Sequence, residues 1–161
     1  MIICNGFPKC GVHALSKACG LLSLPSQLGH FTWEERDKAF AGDKHVLIIR
    51  DPRNALISRL RMDGQQLTSG NIILRINEYE TGDKGFVDAF SRYTAWLKNK
   101  NTHIVRFEDL IKDDTEIKAL AKHLGTPYFA DAFDNLEGFT YTWTGSYSNY
   151  LDYWNEDIQA V

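Results

Sequence analysis

Two segments of this chain carry residue types suited to holding phosphate. The first, Gly6-Phe7-Pro8-Lys9-Cys10-Gly11-Val12-His13, follows the short apolar run Met1-Ile2-Ile3-Cys4. The second, Arg50-Asp51-Pro52-Arg53-Asn54, follows Val46-Leu47-Ile48-Ile49 and leads to Ser58. Each reads as strand, turn and helix, which turns backbone N–H groups and a helix N-terminus towards an anion. Lys9 in one segment, and Arg50 and Ser58 in the other, imply a ligand with phosphate at both ends. Gly6 and Gly11 have the G-x-x-x-x-G spacing of a nucleotide phosphate loop, but Val12-His13 stands where Lys-Ser/Thr belongs. The lysine lies inside the loop instead, and a magnesium-dependent NTPase loses its metal hydroxyl this way. Taken alone, the motif reads equally well as a tight glycine turn. Cys10 is a poor candidate for a phosphatase-type nucleophile, since no arginine follows it within the loop. Cys4, Cys10, His13 and Cys19 match no metal-finger spacing.

These segments need elements to hold them. Residues 1–5 read as a buried strand. A helix is expected from Gly11 to about Leu22, with Leu15, Ala18, Cys19 and Leu22 at helical spacing and Pro25 beyond it. Gln27–Phe31 suits a short second strand. Thr32-Trp33-Glu34-Glu35 fits a capping box opening a short helix that runs to Phe40. His45–Arg50 is the clearest strand, and its apolar run suits a parallel strand buried on both faces. Pro52 then sits at a helix start. Residues 63–82 are ambiguous between helix and strand. Phe86, Phe90, Tyr93 and Leu97 predict an amphipathic helix over Asp83–Lys98. Thr102–Phe107 reads as a strand, followed by a helix capped at Asp113 or Asp114 and stopped by Gly125. His45, His103 and His123 read as surface or strand-edge residues. Alternating strands and helices imply a three-layer α/β fold, whose ligands gather at the carboxyl ends of the strands.

A chain of 161 residues suits a single domain, 1–161, with a sizeable core. The net charge of −3 argues against nucleic-acid partners, so any anion site must be local. No apolar run is long enough for a membrane span, and no signal-type leader precedes the first strand. Three cysteines without framework spacing suit free thiols, and hence a cytoplasmic protein.

Together the motifs resemble those of the sulfotransferase family, which uses 3′-phosphoadenosine 5′-phosphosulfate (PAPS). Pro8-Lys9-Cys10-Gly11-Val12-His13-Ala14-Leu15 stands where that family has P-K-S-G-T-T-W, matching at proline, lysine, glycine and the trailing leucine. Arg50-Asp51-Pro52-Arg53-Asn54-Ala55-Leu56-Ile57-Ser58 is similar to its R-N-P-x-D-x-x-x-S segment, matching at arginine, proline and serine. Ile104-Val105-Arg106-Phe107-Glu108-Asp109-Leu110 resembles the strand ending in Y-E-D-L. Gly145-Ser146-Tyr147-Ser148-Asn149-Tyr150-Leu151-Asp152-Tyr153-Trp154 resembles the segment that closes over the nucleotide, with Trp143-Thr144 where Arg-Lys often precedes the glycine.

The resemblance implies a P-loop NTPase-like fold with a mainly parallel sheet of about four or five strands. It implies transfer of a sulfuryl group from PAPS to a hydroxyl or amine on a small-molecule or glycan acceptor, without a metal. Lys9 and the backbone of Cys10, Gly11, Val12, His13 and Ala14 then hold the 5′-phosphate, and Lys9 also stabilises the leaving oxygen. Arg50 and Ser58, with Thr144 and Gly145, hold the 3′-phosphate end, and Phe107 lies near the adenine. His30, on the strand between the two phosphate motifs, takes the place of the family's basic histidine; Glu34 or Glu35 is next in order. Two other readings remain open at this point. One is a kinase or NTPase with a degenerate phosphate loop, for which Asp51 is the obvious magnesium ligand. The other is a non-catalytic nucleotide-binding module of the same fold.

Overall fold

In the computed structural model the described residues are 1–39, 44–79, 84–129, 131–136 and 149–161. Four parallel strands form one sheet in the order β2-β1-β3-β4: β1 (Ile2–Asn5), β2 (Ser26–Gly29), β3 (Lys44–Ile49) and β4 (Thr102–Arg106). Successive strand residues face opposite sides, so the apolar runs of β1 and β3 supply two cores at once. Ile2, Cys4, Val46, Ile48 and Val105 join the larger core with helices α1 (Val12–Leu21), α3 (Pro52–Met62) and α7 (Thr115–Leu124). Ile3 and Leu47 face the other way, against Ala39 and Trp96. This is the three-layer arrangement expected from the alternating pattern.

The register decides what meets at the sheet's edge. Asn5 pairs with Gly29 on β2 and with Leu47 on β3, while Ile49 pairs with Arg106 on β4. All four strands run the same way, so the residues just beyond them emerge on one edge. In spatial order these are His30, the Gly6–Gly11 loop, Arg50 and Phe107. The chain goes from β1 to β2 on one side and later crosses to β3 on the other. The strand order therefore reverses at β1/β3, where a crevice opens in folds of this kind.

Helix boundaries follow local chemistry. In α1, Leu15, Ala18 and Cys19 lie on the buried face, and the helix stops at Leu22. The capping box at Thr32 forms, with Glu35 as its partner, and opens a 3₁₀ turn (Trp33–Glu35) followed by α2 (Arg36–Ala39). The expected end at Phe40 falls outside the described residues. Pro52 is the first residue of α3, behind an Asp51 N-cap. The ambiguous stretch contains a helix, α4 (Ser69–Asn77), whose Thr68 hydroxyl accepts from Asn71 N–H.

Three expectations need correction. The helix over Asp83–Lys98 is two pieces, α5 (Phe86–Ser91) and a 3₁₀ turn (Thr94–Lys98). Gly85 at φ 92° starts it late, and the Ser91 and Thr94 hydroxyls donate to the carbonyls of Asp88 and Ser91, competing with the helical ladder. The last strand ends at Arg106, and Phe107 begins the single turn α6 (Phe107–Leu110). His45 is no surface residue: it is 2% exposed, with its ring stacked on Trp96. Beyond α7, which ends at Gly125 in the left-handed region, lie α8 (Asp131–Asp134), a 3₁₀ turn (Asn149–Asp152) and α9 (Glu156–Gln159).

Candidate functional site

The Gly6–Gly11 loop is shaped by what it must pass. A Cβ on Gly6 would lie 2.7 Å from the Ile48 carbonyl oxygen, so only glycine lets β1 turn out beside β3 there. Gly11 has φ 102°, and a Cβ on it would meet the Phe107 ring at 2.4 Å. Lys9 is also left-handed at φ 70°, a conformation that costs a non-glycine residue of order 1 kcal/mol and clusters at functional sites. Cys10 N–H closes the turn onto the Phe7 carbonyl.

The loop ends at an open helix terminus. The first bond of α1 runs from Leu15 N–H to the Gly11 carbonyl, so the N–H groups of the first turn lie outside the helix's own ladder. No acidic residue stands in that turn and no side chain caps it. Val12 and Ala14 are buried, and His13 is exposed on the outer side. The sequence expectation assigns this backbone to a 5′-phosphate, and the geometry suits an anion.

Arg50 is anchored beside it. Its Nη1 donates to the Lys9 carbonyl at 3.1 Å, and its guanidinium lies over the Phe107 ring with 4.4 Å to the centroid. Its Nε is buried and makes no hydrogen bond. Burial works against its charge, and Glu108 and Asp51 supply the compensating field. Lys9 is held below its usual pKa, first by burial and then by Arg50 and Arg59, with Asp63 opposing. Two cations thus share the loop, and an anion between them would relieve both. Ser58 is buried on α3 at 8% exposure, eight residues on from Arg50. Phe107, at 6% exposure, offers its ring to Gly11 and Arg50, so its visible service is to hold the arginine in place.

Asp51 is fully committed. One carboxylate oxygen accepts from Arg53 N–H and Nε, and the other from Arg53 Nη2 at 2.7 Å. Its own N–H donates to Glu108 at 2.8 Å. Burial disfavours its charge, but the Arg53 bonds win and hold its pKa below the ordinary value. A carboxylate so engaged is poorly placed to be the magnesium ligand of a kinase.

His30 stands on the loop's other flank. Its Nδ1 lies 2.8 Å from the Gly6 carbonyl oxygen. A carbonyl only accepts, so Nδ1 carries the proton and Nε2 is left with its lone pair. Glu34 and Glu35 are bound up in their own capping turn, and Glu35 also pairs with Lys38 at 2.8 Å. Cys10, fully buried, has its thiol pushed up to about 12, chiefly by burial, which removes it as a nucleophile near neutral pH.

Residues that sequence reasoning passed over complete the site. Asn5 closes β1, is 0% exposed, and ties the loop to the residues after β2. Its signal was a lone amide ending an apolar strand. Tyr93 donates to the His30 carbonyl at 2.8 Å. The 3₁₀ turn at 149–152 packs on α3, where Arg53 lies over the Tyr150 ring at 3.9 Å and Asn54 accepts from Tyr150 N–H. Thr144 and Gly145 lie outside the described residues. Among the described residues no group of three or more His, Cys, Asp or Glu could hold a metal ion, and no helix is long and apolar enough to cross a membrane.

No protein-family model matches the chain, and no curated protein matches it in sequence. Its fold does match solved structures. The crystal structure of a mouse sulfotransferase, SULT7A1, complexed with PAP superposes with a TM-score of 0.79 at 13% identity, covering 99% of this chain and 80% of that one. The chain therefore has the sulfotransferase-like, P-loop NTPase-like α/β fold.

Proposed function

We propose that this protein is a PAPS-dependent sulfotransferase acting on a hydroxyl or amine of a small-molecule or glycan acceptor. One observation carries the reading. The phosphate loop is bonded on one flank to Arg50, through the Lys9 carbonyl, and on the other to His30, through the Gly6 carbonyl. A guanidinium suited to an anion and an imidazole suited to proton transfer are thereby tied to the same loop. The fold likeness to a protein complexed with PAP supports the choice of nucleotide.

The chemistry follows from those residues. PAPS supplies an activated sulfuryl group. Lys9 and the first-turn N–H groups of α1 hold its 5′-phosphate end; Arg50 and Ser58 serve the 3′-phosphate. His30 Nε2 takes the proton from the acceptor as its oxygen or nitrogen bonds to sulfur. Lys9 meets the charge that grows on the departing 5′-phosphate oxygen. No step in this scheme requires a metal.

Calorimetry with adenosine 3′,5′-bisphosphate (PAP), AMP and ATP, each with and without magnesium, tests the reading. Each charge-assisted phosphate contact contributes about 1.5–3 kcal/mol, so PAP should bind at least about tenfold more tightly than AMP or ATP, with no magnesium requirement. Tighter, magnesium-dependent ATP binding would establish the kinase reading instead. PAP binding with no transfer to any acceptor class would identify a non-catalytic module.

A further inference from the structure

Around His30 several hydrogen bonds tie the end of β2 to its neighbours. Asn5 Oδ1 accepts from Gly6 N–H at 2.9 Å and from Phe31 N–H at 2.8 Å, and its Nδ2 donates to the Phe31 carbonyl at 3.0 Å. One buried amide therefore bonds the residue after β1 and the residue after His30. That Phe31 carbonyl also accepts from Trp96 Nε1 at 3.0 Å. The His30 carbonyl accepts from the Tyr93 hydroxyl, whose ring packs edge-on against Phe7 of the loop. Without these bonds, an exposed imidazole after a short edge strand has many rotamers and both tautomers available. With them, its backbone is held while Nδ1–H reaches the Gly6 oxygen.

We infer that Asn5 and Tyr93 are positioning residues that hold His30 against the phosphate loop with Nδ1 protonated and Nε2 facing the reacting group. The inference rests on the proposed role of His30 as base. Asn5 acts through the Phe31 and Gly6 backbone, and Tyr93 acts through the His30 carbonyl. A freed imidazole spends less time with Nε2 correctly aimed, which lowers turnover. It also loses the bond that fixes its Nδ1-protonated tautomer.

Three variants of the full chain test this: Asn5→Leu, which keeps the volume and removes every bond; Asn5→Asp, which keeps the acceptor for both N–H groups; and Tyr93→Phe. For each, ¹⁵N NMR of His30, assigned against His30→Gln, gives the tautomer, and calorimetry gives PAP affinity. Asn5→Leu should lose turnover by about tenfold or more, a fraction of what a general base supplies. Its His30 should lose the Nδ1-protonated preference, and PAP affinity should hardly change. Asn5→Asp should recover part of the turnover. Tyr93→Phe, missing one neutral hydrogen bond, should fold and lose about threefold to tenfold. An unchanged tautomer in Asn5→Leu overturns the proposal for Asn5. So does PAP affinity falling in step with turnover, which would make Asn5 a residue of the phosphate loop alone. If Asn5→Leu does not fold, Asn5→Asp and Tyr93→Phe decide by the same readouts, and wild-type behaviour in both overturns it. If wild type binds no PAP, the sulfotransferase reading fails, while the NMR comparison still reports whether Asn5 and Tyr93 hold the imidazole.

Discussion

Lys9 on the loop and Arg50 beside it are like charges in different surroundings. Lys9 is half-exposed at the loop's crest, its ammonium 3.7 Å from the Met62 sulfur, a weak partner that a ligand can displace. Arg50 is pinned from beneath by Phe107 and by the Lys9 carbonyl. On the proposed function, Lys9→Ala should lower turnover far more than PAP affinity, because its charge would matter most when the leaving oxygen becomes negative. Arg50→Ala should act mainly on affinity, weakening PAP by about tenfold or more through loss of a charge-assisted contact. Steady-state rates and dissociation constants for both variants separate the two roles, and proportional losses in both would contradict the assignment. Gly11 tests the loop itself. Gly11→Ala must accommodate a left-handed backbone and a methyl in contact with Phe107, so it should destabilise the fold by about 1–3 kcal/mol. Denaturant unfolding measures this directly, and PAP should bind less tightly to the altered loop.

At the scale of elements, the N-termini of α1 and α3 differ in what already occupies them. The N-terminus of α1 is left to backbone and ligand, whereas that of α3 is already capped by Asp51 and covered by Tyr150 over Arg53. The strand–turn–helix segments were legible because apolar runs, glycines and Pro52 mark them locally. The break between α5 and the following 3₁₀ turn was not: Phe86, Phe90 and Tyr93 keep helical spacing across it, and the interruption comes from the Ser91 and Thr94 hydroxyls turning back on carbonyls three residues earlier. Asn5 was missed for a related reason, since its partners Gly6 and Phe31 are brought together only by the parallel register. A loop cysteine invites the phosphatase reading, and the packing refuses it. Cys10 should resist iodoacetamide at neutral pH in the folded protein and react only on unfolding. Rapid single-site alkylation under native conditions would reopen that chemistry.

Over the whole molecule, the strand order collects the site, and it is the least local property of the chain. Motifs could be read one at a time, but that His30 and Arg50 flank one loop follows from β1 lying between β2 and β3. The same topology buries His45 in the middle of the sheet, between Ile3 and Thr102 in register, although it reads in sequence as a surface or strand-edge residue. Its Nδ1 lies 2.9 Å from the Thr102 hydroxyl, and its ring stacks on Trp96 at 4.3 Å. Burial pushes its pKa down to about 4, from an ordinary value of 6.5. The native state thus keeps His45 neutral where the unfolded chain takes a proton, so stability must fall with falling pH across that interval. His45 contributes fully above about pH 6.5 and loses its contribution progressively towards pH 4, at a slope of at most about 1.4 kcal/mol per pH unit. His103 and His123 are also shifted down by burial, and they add to the same trend. His45→Gln removes one of these protons and leaves the others. Thermal unfolding between pH 7 and pH 4.5 should therefore fall less steeply in the variant than in wild type. Parallel slopes would mean that His45 titrates in the folded protein as it does in the unfolded one, and that the centre of this sheet is open to water.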